Sequence, residues 1–82
     1  MSLDALRAQL DEVDEELIRL LAKRAGIVEE IWAWKASNGV PRIDPSRETS
    51  MKARLLADAE SLGLKRDAVA AIFDRIIGVA LK

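Results

Sequence analysis

Residues 2–39 read SLDALRAQLDEVDEELIRLLAKRAGIVEEIWAWKASNG, and this stretch decides the fold. Apolar side chains recur along it in a heptad-like rhythm with two rows. Leu3, Leu10, Leu17 and Ile31 lie on one, and Leu6, Val13, Leu20, Ile27 and Trp34 on the other. Ser2 suits an N-cap, and Asp4 puts negative charge in the first turn, where the helix dipole favours it. No proline intervenes before Pro41, and Ser37-Asn38-Gly39 makes a good helix end. The spacing predicts one helix of about 35 residues, roughly 50 Å long at 1.5 Å per residue. A compact chain of this size has a radius of gyration of only about 12 Å. The rest of the chain cannot cover such a helix, whereas a second copy packed symmetrically along it can.

Beyond Gly39 comes a loop through Ile43, and then Asp44-Pro45 reads as an N-cap followed by proline at the first helical position. A second helix is predicted from Pro45 to Leu62, with Met51, Leu55, Ala59 and Leu62 inward and Gly63 as its stop. Asp67 is placed as the cap of a third helix, whose apolar face is Val69, Ile72, Phe73, Ile76, Ile77, Ala80 and Leu81. The expected architecture is all-α: one domain over residues 1–82 with a long, a medium and a short helix, in an intertwined homodimer. A lone core in 82 residues is marginal, and with no cysteine there is no disulfide to compensate.

Composition narrows the chemistry. Cysteine and histidine are both absent, which removes thiolate nucleophiles, imidazole bases and the common zinc sites. A net charge of −1 offers no overall basic field for nucleic acid or an anionic membrane. Charges interrupt every apolar stretch, and no basic segment followed by an apolar run opens the chain. A cytoplasmic protein is the expectation.

Arg24 breaks the pattern. It occupies the place on the Leu3/Leu10/Leu17/Ile31 row where packing calls for an apolar side chain. A guanidinium there needs an anion, because an unpaired buried charge is very costly. Three readings stand: an acid of the same protein, an arginine snorkelling from the seam to water, or an anionic ligand. Lys35 lies eleven residues on, three turns further and on nearly the same face, with Val28 and Ile31 between. A cation at each end of a short apolar strip suits a small flat anion, although Lys35 also suits the dipole at a helix C-terminus. Arg47 in the first turn of the second helix opposes the dipole there, while Glu48 suits it. Arg7 lies beside the seam, and in an antiparallel pairing it approaches the far half of its partner's helix. Trp34 continues a heptad row and reads as core; Trp32 reads as partly exposed packing.

These residues resemble a known family. Leu6-Arg7, Leu20-Leu21-Ala22-Lys23-Arg24, Lys35, Pro41 and Asp44-Pro45-Ser46-Arg47-Glu48 follow the pattern of the AroQ-type chorismate mutases, with matching intervals from Arg7 through Glu48. The resemblance implies a homodimer that rearranges chorismate to prephenate without a cofactor. It implies that Arg24, with Arg7 from the partner subunit, grips the two carboxylates of the substrate. Lys35 would donate to the ether oxygen of the breaking bond, and Glu48 would hold the ring hydroxyl, with the backbone at Asp44 beside it. Arg47 would contact the enolpyruvyl carboxylate.

Relatives commonly carry a polar residue on a longer third helix as a second partner for the ether oxygen, and a serine where Ala80 stands. Here Lys35 is left as the obvious donor. The run from Gly39 to Glu48 also resembles mutase domains fused to DAHP synthase, which implies a piece of a longer protein; the alternative is a short mutase, weak alone, that gains activity in complex with that enzyme. Two other functions suit the same scaffold. One is isochorismate pyruvate-lyase, and the other is a regulatory or dimerisation module without turnover.

Overall fold

The computed structural model describes the backbone of residues 2–80 and the side chains of residues 2–78. The expectations for the side chain of Ala80, and for Leu81, lie outside the described residues. Three helices follow in order, α1 (Leu3–Ser37), α2 (Pro45–Ser61) and α3 (Arg66–Ala80), long, medium and short as predicted. The chain divides into two compact units, Met1–Asn38 and Gly39–Lys82. None of the described helices is long and apolar enough to cross a membrane.

The first unit is α1. Ser2 is extended and its side chain accepts a hydrogen bond from the Ala5 N–H at 3.1 Å, a cap worth about 1 kcal/mol. At the other end the Asn38 N–H donates to the carbonyls of Trp34 and Lys35, and its side-chain amide donates to the Trp34 carbonyl at 2.8 Å. Gly39 then takes φ +66°, a left-handed turn that a Cβ would oppose. Local chemistry thus sets both bounds of α1. No residue of α1 is buried: Leu10, Leu17 and Trp34 are 57%, 52% and 60% exposed. Trp34, read as core on its heptad row, is thus exposed among the described residues of a single chain. Fully burying one such side chain is worth about 1.5–3 kcal/mol, so these rows hold a large unrealised stabilisation.

The second unit is the α2–α3 pair. Asp44 caps α2, its Oδ1 accepting from the Arg47 N–H at 3.1 Å, and Pro45 fills the first helical position. The helix closes where the Leu62 N–H donates back to the carbonyls of Asp58 and Ala59, and Gly63 turns the chain at φ +79°. α2 and α3 pack on one another. Leu56 and Ala59 are buried, while Met51, Leu55, Val69, Phe73, Ile76 and Ile77 are half-buried.

Three expectations change here. Leu62 is 78% exposed, because it is the C-cap, past the last helical residue, and no longer follows the inward stripe. Leu56 is the buried leucine instead. Ile72, expected on the inward face of α3, is exposed. Asp67 is not a cap either: α3 begins at Arg66, and the Lys65 carbonyl already accepts from the Val69 N–H at 3.1 Å. Its carboxylate lies inside the first turn, where the helix dipole still favours it.

Two ion pairs link α2 to α3: Glu60 with Arg66 beside the turn, and Lys52 with Asp74 further along. Both partners of the first are more than half exposed, so Arg66→Ala is expected to cost less than about 1 kcal/mol. Leu56→Ala is expected to cost about 2–3 kcal/mol, because it empties the centre of the α2–α3 contact. Urea denaturation of the two variants checks this order.

Candidate active site

α1 carries one group of predicted site residues. A helix is rigid over three turns, so Arg24, Val28 and Lys35 are held on one stripe by the backbone alone. All three are half-buried, as is Trp32, whereas Ile31 between them is 46% exposed. The Arg24 side chain makes no hydrogen bond or ion pair with any described residue. The first reading of Arg24, an acid of its own chain, therefore has no support among the described residues. Arg7 is exposed and lies 3.9 Å from Asp4, one turn back. Such a contact between solvated groups is weak and easily exchanged for a better anion.

The second group belongs to the α2–α3 unit. Asp44 and Arg47 meet at the cap of α2, through the Asp44 carboxylate and the Arg47 backbone, so the guanidinium of Arg47 is not what the cap uses. Glu48 is half-buried, one residue into the helix from there. It lines a cleft of about 350 Å³ together with Pro45, Thr49, Lys52, Asp74, Ile77 and Gly78. That volume lies at the small end of the range for small-molecule sites. The Thr49 hydroxyl donates to the Pro45 carbonyl at 2.9 Å, which leaves its oxygen able to accept.

Two carboxylates and one ammonium give this cleft a charge of −1, and Lys52 and Asp74 are paired across it. Of the three, Glu48 makes no side-chain ion pair or hydrogen bond among the described residues. Its carboxylate is an acceptor available to a hydroxyl or an amine. Neither Arg47 nor Asp44 lines the cleft.

The sequence alone does not single out Lys52, Asp74 or Gly78. Lys52 stands four residues after Glu48, which puts both on one face of α2, and that spacing was the available signal. Asp74 and Gly78 join them only through the packing of α3 on α2.

Comparison with known proteins gives a consistent result. The sequence model of the family Chorismate mutase type II matches residues 6–82. The T-protein of Enterobacter agglomerans is 41% identical over 75 residues, 92% of this chain and 20% of that protein. The T-protein of Haemophilus influenzae is 33% identical over 93% of this chain and 20% of its own length. The chain thus spans about a fifth of the T-proteins it matches. The 4-amino-4-deoxychorismate mutase of Streptomyces venezuelae is 32% identical over 92% of this chain and 73% of its own length. Among solved structures, chorismate mutase from Thermus thermophilus superposes with a TM-score of 0.87 at 32% identity, covering 95% of this chain and 96% of that one. With a matching three-helix fold and a family match that omits only the first five residues, the chain belongs to the chorismate mutase type II family.

Proposed function

We propose that residues 1–82 act as a single catalytic domain that rearranges chorismate to prephenate, as a homodimer in which each site takes Arg7 from the partner copy. The observation that carries this reading is Arg24, half-buried on an apolar row with its side chain making no ion pair or hydrogen bond among the described residues. A carboxylate brought by the substrate completes it. The exposed apolar rows of α1 support the dimer, since a second copy is the occupant that the periodicity fits.

The reaction is intramolecular: one C–O bond breaks, one C–C bond forms, and no nucleophile or base is required. The residues have two tasks. Arg24 and the partner copy's Arg7 hold the two carboxylates so that the flexible substrate stays in its reactive chair-like shape, with Arg47 adding a contact to the enolpyruvyl carboxylate. Lys35 donates to the ether oxygen as negative charge builds there. Glu48 accepts from the ring hydroxyl, with the backbone at Asp44 as its neighbour. A site without cysteine or histidine suits this chemistry.

The relative from Streptomyces venezuelae supports a second reading of the ring substituent, because the Glu48 carboxylate accepts from an amine as readily as from a hydroxyl. The proposal includes a cytoplasmic setting, which the charge-interrupted apolar stretches allow. It also includes DAHP synthase as a partner that raises turnover. An absorbance assay of chorismate loss, run with and without DAHP synthase, tests the reading. Parallel arms with isochorismate and 4-amino-4-deoxychorismate fix the substrate. Turnover of chorismate above both is expected; turnover of isochorismate with chorismate untouched overturns it, and so does a dimer silent on all three.

A further inference from the structure

The α3 wall of the Glu48 cleft holds a glycine inside a helix. Gly78 lies within α3 (Arg66–Ala80) and lines the cleft beside Ile77, while the α2 wall carries Glu48, Thr49 and Lys52. Glycine is the poorest helix former after proline and costs about 1 kcal/mol against alanine in a helix, unless a left-handed turn or a close neighbour calls for it. Neither common reason applies. The backbone at Gly78 is not in the left-handed region. No described neighbour approaches closely either, because a Cβ built on Gly78 meets nothing within 4 Å among the described residues.

Gly26 on α1 is equally open, so open space alone would say little. What distinguishes Gly78 is its place in the wall of a cleft. Asp74, one turn earlier on α3, is paired with Lys52 on α2. That pair ties the two walls together beside Gly78, so a side chain added there would have to share the cleft with the ligand.

We propose that Gly78 is a specificity-determining residue whose missing side chain makes room for the hydroxyl-bearing ring of the substrate next to Glu48. This rests on the chorismate reading above. It predicts opposite signs for stability and activity. Gly78→Ala and Gly78→Leu replace a poor helix former by good ones, so both variants are expected to melt at or a few degrees above wild type. Their kcat/KM on chorismate is expected to fall about 10-fold for alanine and about 100-fold for leucine, following the volume added. The loss should fall on KM, since crowding weakens ground-state and transition-state binding alike.

Thermal melts and chorismate kinetics on the full chain decide the matter, with Gly78→Ala sufficient if the leucine variant does not fold. A stabilised Gly78→Ala with wild-type kcat/KM overturns the inference and leaves the chorismate reading standing. A fall in activity matched by a fall in melting temperature marks a structural role and also overturns it. A wild-type chain that does not turn over chorismate overturns both.

Discussion

Arg24→Ala is expected to lower chorismate turnover about 1000-fold while leaving the helices and the proposed dimer intact. The size follows from what is removed. A charge-assisted, bidentate contact to a carboxylate is lost, and the carboxylate must still enter a desolvated site without it; truncating one member of such a pair costs about 2–5 kcal/mol. The fold is spared because the Arg24 side chain makes no ion pair or hydrogen bond with the described residues of its own chain. Removing it relieves an unpaired charge on an apolar row, so the melting temperature should hold or rise. Arg24→Lys should recover little, because a point charge does not reproduce the planar fork. Steady-state kinetics with circular dichroism on the same samples checks each statement. Wild-type turnover in Arg24→Ala would show that the guanidinium meets no substrate.

The second large effect is expected at Lys35, and it differs in kind. Lys35→Ala should lower kcat about 100- to 1000-fold with a much smaller change in KM, the usual loss when a donor to a developing oxyanion is removed. The ether oxygen carries little charge in bound chorismate and more as the C–O bond lengthens. A donor aimed at it therefore acts mainly in the transition state. Equal losses in ground-state binding and in turnover would assign Lys35 to carboxylate binding instead.

Most of the fold is legible because local rules set it. Ser2, the Asn38-Gly39 end, Asp44-Pro45 and Gly63 each act on the nearest turn, and α1 and α2 begin and end where those residues place them. The failures are equally local in cause. Asp67 offers good cap chemistry, but the chain leaving the Gly63 turn enters α3 at Arg66, two residues too early for it. Leu62 carries the right periodicity yet lies past the end of the helix that gives periodicity meaning. For Leu55 and Leu56, adjacent residues on a helix face about 100° apart, and only the docking of α3 decides that Leu56 is the buried one.

The candidate site divides along the same line. Arg24, Val28 and Lys35 are readable from sequence because a single helix fixes their common face. Glu48 by itself only suits the dipole in the first turn of α2, and its place in the site comes from the resemblance of Asp44-Pro45-Ser46-Arg47-Glu48 to the family pattern. Lys52, Asp74 and Gly78 become neighbours only when α3 folds back on α2, and no spacing along the chain announces that.

The central claim is that cations from two copies of α1 close on one dianion, and mixing two inactive variants tests it most directly. Arg7→Ala and Arg24→Ala should each be nearly silent alone. Unfolded together and refolded as a mixture, half the dimers pair one variant with the other, and each of those has one site with both arginines intact. About a quarter of wild-type turnover should return, as two-fold symmetry requires when the arginines come from different chains. A mixture that remains as inactive as its components, with mixed dimers present, would contradict the account.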